Sequence, residues 1–91
     1  MKEFIIECEK LGLFAPTRVK HNDIVLETQG LTIKELCELW KWYFKIPPFE
    51  KIVLIVDKKL YNSIQQKSLL DMKSVSALFY ENDIEVREKA E

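Results

Sequence analysis

The most constraining feature of the sequence is residues 52–56, Ile-Val-Leu-Ile-Val, an unbroken apolar run in which four of the five side chains are β-branched. A strand with one face in water alternates apolar and polar residues, whereas a continuous run is typical of a strand covered on both faces. We therefore expect this segment to be the central strand of a sheet. The rest of the chain has to supply its neighbours and its cover.

The segment after this run predicts a return to the same sheet. Residues 58–81 show an interrupted helical periodicity, which indicates two helices, with Ser68 or Asp71 placed to cap the second. Residues 84–87 alternate as a half-exposed strand. Strand, helices and strand in this order favour a right-handed parallel crossover.

Residues 17–28 predict a β-hairpin, because two β-type segments flank a polar turn at 21–23. Side chains alternate between the faces of a strand, so we expect Ile24 and Leu26 to face the core and Glu27 to face outward.

The first segment, residues 2–11, fits two periods. Phe4 and Cys8 belong to a helical spacing, with Gly12 as the stop, and we interpret the segment as a helix. Because Ile6 then falls on the polar side of that helix, and because Phe4, Ile6 and Cys8 also alternate, a strand is the competing interpretation.

A second helix has the best local signal in the chain. Thr32 is placed to cap the helix and Glu35, three residues later, to bond back to it, which is the capping-box pattern. We expect this helix to continue to about Lys45, since Pro47 disfavours helical backbone in the residue before it.

Together these elements predict a single α+β domain over residues 1–91, with a small mixed sheet, a hairpin, a C-terminal β-α-β crossover and three to four helices. Ninety-one residues suffice for roughly one modest core, and 47% hydrophobic residues favour folding over disorder. The net charge of −1 supplies no overall field that attracts nucleic acid or an anionic membrane.

The two cysteines, Cys8 and Cys37, lie in apolar surroundings and far apart in sequence, as buried free thiols do. With His21 as the one histidine, they do not form the four-ligand pattern of structural zinc, so we expect no metal site. Free thiols and the absence of a secretory or membrane-spanning apolar segment predict a soluble cytoplasmic protein.

No residue pattern predicts a cofactor or a specific catalytic centre, and no motif is specific to a family. Two glycines in the whole chain exclude a P-loop or a dinucleotide-binding turn. Asp57 and Lys59 have the acid-x-lysine spacing of metal-dependent nucleases, with Asp23 or Glu27 as the second carboxylate. An aspartate between a strand and a helix is more commonly an N-cap, and we favour that interpretation.

The second helix carries an aromatic residue where a charge is expected. Its apolar residues share one arc, but Trp42 projects between Glu35 and Glu38 on the polar side. Either another element of the chain covers Trp42 or a partner does, since tryptophan is common in both settings. The residues predicted for a partner interface are Trp42, Leu39, Glu35 and Glu38.

We therefore expect a non-enzymatic interaction or regulatory module that forms a homodimer through the Trp42 side of this helix. The alternative is a small nucleic-acid-binding protein, in which Trp42 stacks on a base while nearby lysines contact phosphates. Arg18 and Arg87 are the only arginines, which is few for such a protein. The third hypothesis is the nuclease centred on Asp57 and Lys59. The lysines of the nucleic-acid hypothesis are Lys41, Lys45, Lys58 and Lys59.

Overall fold

The computed structural model describes residues 2–12, 15–66 and 74–89 and shows an α+β domain with one mixed sheet. Its five strands have the order β3-β2-β1-β4-β5; β1, β4 and β5 are parallel, and β2 is antiparallel to both β1 and β3. The elements along the chain are β1 (Glu3–Leu11), β2 (Pro16–His21), β3 (Ile24–Glu27), α1 (Ile33–Tyr43), β4 (Lys51–Val56), α2 (Lys58–Gln66), α3 (Val75–Glu81) and β5 (Ile84–Glu88).

The first segment is a strand, so the prediction of a helix over residues 2–11 was wrong. β1 pairs with β4 on one side, Ile6 opposite Leu54, and with β2 on the other, Cys8 opposite Val19. The sheet needs a hydrogen-bonding partner for each side of its buried strands, and alternation puts Ile6, which is fully buried, on the face towards the helices.

Gly12 is not a left-handed helix stop either. Its N–H donates to the Ala15 carbonyl at 2.8 Å, and a Cβ at this position would lie only 2.6 Å from Cγ2 of Thr17. A larger residue at this position would require the Thr17 side chain to move, because Gly12 approaches it closely.

The hairpin of β2 and β3 forms where the sequence predicts it, with Asn22 in the left-handed region (φ 53°) at the turn. Leu26 packs on the core and Glu27 is exposed, as expected. Ile24 is 47% exposed, contrary to the prediction that it faces the core. It begins the edge strand, which has a neighbour on one side only, so little of the helical layer reaches it.

The capping box of α1 is confirmed. The Thr32 hydroxyl accepts from the Glu35 N–H at 3.1 Å, and the Glu35 carboxylate accepts from the Thr32 N–H at 3.0 Å, which lowers the pKa of Glu35. The helix ends at Tyr43, slightly before the expected Lys45. Lys45 adopts left-handed backbone (φ 54°), and the N–H groups of residues 45 and 46 bond back to the carbonyls of residues 42 and 41, a Schellman ending.

The apolar run lies where the sequence predicts, as β4 between β1 and β5. Ile52, Leu54 and Val56 belong to the core shared with all three helices of the described part of the chain. Val53 points to the opposite face by alternation and is also fully buried. The described helices pack on the other face, so among the described residues Val53 is covered by side chains of neighbouring strands.

Charged side chains of β1, β4 and β5 form ion pairs on the face of the sheet to which Val53 points. Arg87 of β5 bonds Glu3 of β1 at 2.8 Å and Glu85 at 2.7 Å, and Lys51 of β4 bonds Glu85 at 2.6 Å. These contacts hold the pKa of Glu3 and of Glu85 below the usual value, Glu3 through Arg87 and Glu85 first through Lys51. The polar ends of these side chains remain in water while their stems shield the apolar strand beneath.

The last two helices agree with the prediction of two helical segments before a final strand. α3 begins after Ser74, whose hydroxyl accepts from the Ala77 N–H at 3.1 Å. The predicted caps Ser68 and Asp71 lie outside the described residues.

We predict that Thr32→Ala lowers the free energy of unfolding by about 1 kcal/mol, because the side-chain acceptor for the Glu35 N–H is lost. Urea denaturation followed by circular dichroism measures this. Lys34→Ala, an exposed change in the same turn, is the control, and equal midpoints for the two variants would contradict the capping role.

Candidate functional site

Trp42 stands on the outer face of α1 with 76% of its surface exposed. The inward face of the helix is defined by Ile33, Leu36 and Trp40, all of them buried, and the indole of Trp40 stacks on Phe79 with ring centroids 5.7 Å apart. The position of Trp42 on the polar side is therefore confirmed. None of the elements that the structure describes buries it.

Other exposed apolar side chains gather at the same end of the domain. β4 and β5 are parallel, so both start at one edge of the sheet, and short connections from α1 and α3 bring the ends of those helices to that edge. We call this the aromatic end. Its large exposed hydrophobic residues in the described ranges are Trp42, Tyr43, Phe49 and Tyr80. Two further exposed hydrophobic residues, Ile24 and Val25, lie at the start of the edge strand β3.

A stack of rings supports this end from inside. His21 lies on Phe4 with centroids 4.0 Å apart, its edge meets Phe44 at 5.9 Å, and Tyr43 packs against Phe44 at 5.3 Å. His21 Nδ1 donates to the Ile5 carbonyl at 2.8 Å. The sequence predicts this histidine in a polar turn. In the structure it is the last residue of β2, is half-buried, and packs its ring against Phe4 and Phe44.

The charges on the outer face of α1 are unevenly divided. Glu35 and Glu38 are exposed in its N-terminal half, Lys41 is exposed in its last turn, and Lys45 is exposed in the turn that follows the helix. Leu39, partly exposed, lies between them. Beyond the backbone contacts of Glu35, the structure records no ion pair for these four charges among the described residues. The four predicted interface residues, Trp42, Leu39, Glu35 and Glu38, thus share one helix surface.

The lysines of the nucleic-acid hypothesis do not form one patch. Lys41 and Lys45 lie at the aromatic end, whereas Lys58 and Lys59 start α2, at the opposite end of β4. A six-residue strand separates the two pairs by roughly 20 Å. A binding surface that uses Trp42 therefore contains two of the four lysines.

Asp57 caps α2: its carboxylate accepts from the Leu60 N–H at 2.8 Å. Neither predicted second carboxylate accompanies it, since Asp23 lies in the hairpin turn and Glu27, on the edge strand, bonds Arg18 at 3.0 Å. Within the described ranges, no three side chains of histidine, cysteine, aspartate or glutamate are placed to hold a metal ion.

Two carboxylates that the sequence did not single out do lie near Asp57. Glu7 and Glu9 line a shallow pocket of about 210 Å³ together with Asp57 and Lys89. The sequence did not predict this proximity, because interpreting residues 2–11 as a helix does not place Glu7 and Glu9 beside β4. In β1 they reach the edge of the sheet where β4 ends.

The exposed Phe49 and Tyr80 were also missed from the sequence. Phe49 follows two prolines and belongs to no helical or strand period. The sequence therefore does not predict whether its side chain is buried or exposed. Tyr80 stands one position after the buried Phe79, and a wheel of the seven-residue α3 would have placed it off the core side.

Both cysteines are free and buried in the core, as predicted. Burial raises the pKa of Cys8 and of Cys37 to about 12, because the thiolate loses its hydration. Neither thiol is suited to nucleophilic chemistry at neutral pH.

Comparisons with protein-family models, curated proteins and solved structures found no match to this chain. In the part of the chain that the structure describes, no helix is long and apolar enough to cross a membrane.

We predict that both thiols of the native protein react with a bulky maleimide far more slowly than those of the urea-unfolded chain, because reaction requires opening of the fold. Intact-mass spectrometry over time measures the labelling. Rapid modification of either cysteine in native buffer would contradict its placement in the core.

We also predict that Asp57→Ala lowers the free energy of unfolding by about 1 kcal/mol through loss of the α2 cap. Asp57→Ser is the matched control, since serine is a good N-cap, and it should recover much of the loss in urea denaturation. A gain in stability with alanine would show that the carboxylate is strained, as functional carboxylates are.

Proposed function

We propose that this protein is a non-enzymatic interaction or regulatory module of the cytoplasm that forms a homodimer through the Trp42 side of α1. The observation that carries the proposal is Trp42 itself, a large apolar side chain that is 76% exposed in the last turn of α1, on the helix face that carries Glu35 and Glu38. Buried free thiols in the core are compatible with a reducing compartment.

Energetics favour covering this side chain. A tryptophan offers on the order of 150 to 250 Å² of surface, and burial stabilises by about 25 cal/mol per Å², so covering its exposed part contributes roughly 3 to 5 kcal/mol. The surroundings supply a polar rim, with Glu35 and Glu38 beside it and the partly exposed Leu39 next to it. An apolar anchor inside a polar rim is the usual anatomy of a protein interface.

The net charge of the chain supports a second copy as the partner. At −1, two copies meet without appreciable long-range repulsion. A two-fold dimer also places both copies of Trp42 in one interface, which doubles the apolar surface removed from water.

We predict that Trp42→Ala leaves the monomer folded but weakens dimerisation by about thirtyfold for each tryptophan removed, which corresponds to about 2 kcal/mol for an interface aromatic. Because a two-fold interface loses both copies of Trp42, the two losses combine. The fold survives because the buried side of α1 is unchanged. Light scattering over a range of concentrations, with circular dichroism of each variant, measures both effects.

Tyr80→Ala is the matched control, since Tyr80 is 81% exposed but lies on α3. It should leave the dissociation constant of the dimer unchanged. An equal loss with Tyr80→Ala would move the interface from the face of α1 to the aromatic end as a whole. A wild type that is monomeric at every concentration, together with a Trp42→Ala variant destabilised by several kcal/mol, would refute the proposal.

Two further assays test nucleic-acid binding and nuclease activity. A gel shift at two salt concentrations that Lys41→Glu and Lys45→Glu abolish would favour nucleic-acid binding instead. Plasmid cleavage with Mg²⁺ that is lost in Asp57→Ala would favour a nuclease.

A further inference from the structure

The outer face of α1 is complementary in charge to the same face of a second copy that runs in the opposite direction. Its C-terminal end has two exposed positive charges, Lys41 in the last turn and Lys45 in the Schellman turn that follows. Its N-terminal half carries Glu35 and Glu38 against one positive charge, Lys34. Two such helices packed in parallel place like charges opposite each other. Packed antiparallel, they place the acidic half of one against the basic end of the other.

The antiparallel arrangement that pairs the opposite charges also brings the apolar residues of the two helices into contact. In an antiparallel pair centred near residue 40, Glu38 lies beside the partner's Lys41. Glu35 then faces the Schellman turn that follows the partner helix and carries Lys45. Trp42 then packs on Leu39 of the other helix, close to the two-fold axis. Each contact occurs twice, because a two-fold interface repeats every pair.

Antiparallel packing is favoured by two further features of the described residues. The carboxylate of Glu38 and the ammonium groups of Lys41 and Lys45 have no recorded ion-pair partner within the described part of the chain, so they are available to a second copy. The backbone dipoles of two antiparallel helices also attract each other, since each negative end lies beside a positive one.

We infer that two copies of this chain associate with their α1 helices antiparallel, Trp42 of each on Leu39 of the other and Glu35 and Glu38 facing Lys45 and Lys41. This inference rests on the proposed homodimer and specifies its geometry. It makes the dimer closed, with no free copy of the same surface left to recruit a third chain.

Disulfide cross-linking of the full-length chain tests the geometry. One preparation carries Glu35→Cys, another carries Lys45→Cys, and the two are oxidised mildly, separately and after mixing. The native thiols are buried and do not interfere. In the antiparallel pair the two copies of position 35 lie about 15 Å apart along the axis, at 1.5 Å per residue, well beyond the roughly 7 Å limit for a disulfide.

We expect the mixture to form the mixed disulfide at least tenfold faster than either preparation forms a disulfide with itself, as read by intact mass. Lys34→Cys mixed with Lys45→Cys is the second pair, which keeps the Glu35 carboxylate in the capping box. Circular dichroism of every variant checks that α1 is intact.

Fast self-linking of Glu35→Cys would overturn the inference in favour of parallel helices while the homodimer stands. A dimer by light scattering in which neither mixture links would overturn it by removing α1 from the interface. A wild type that stays monomeric refutes the proposed function itself, so the two failures are distinguishable.

Discussion

Strand β4 has to lose water from both of its faces at once, and the remaining elements are arranged around that requirement. Ile52, Leu54 and Val56 meet the helical layer, while Val53 is buried on the other side, above which none of the described helices lies. Neighbouring strands on both sides satisfy the backbone of β4, and long charged side chains shield the face that the helices leave open. A layer on one face and a charged network on the other therefore suffice for a chain of this size.

Local signals in the sequence predicted those elements whose causes are local. The capping box at Thr32, the hairpin turn at Asn22 and the continuous run in β4 each depend on a few neighbouring residues, and each is found in the structure. The prediction for β1 failed because its partner β4 is distant in sequence. The alternation of its side chains competes with a helical spacing, and only pairing with β4 decides between strand and helix. The end of α1 differed slightly because Lys45 adopts left-handed backbone, which its residue type does not suggest.

The candidate surface shows the same division. Exposure of Trp42 followed from the periodicity of one helix, so the sequence alone located it. The gathering of Phe49 and Tyr80 at the same end depends on which strands are parallel and adjacent, and this is a property of the whole sheet. For the same reason the sequence suggested one lysine patch where the fold places two, at opposite ends of β4.

The position of β1 in the middle of the sheet has a consequence for synthesis. The β1–β2–β3 ladder can form as soon as it leaves the ribosome, because its pairings are local, whereas β4 begins about a quarter of the chain after β3 ends. Until α2, α3 and β5 follow, the outer edge of β4 is open, and an uncovered, uncharged strand edge is a template for pairing with another nascent chain. The run that anchors the finished domain is thus its main aggregation hazard while the last third of the protein is being made.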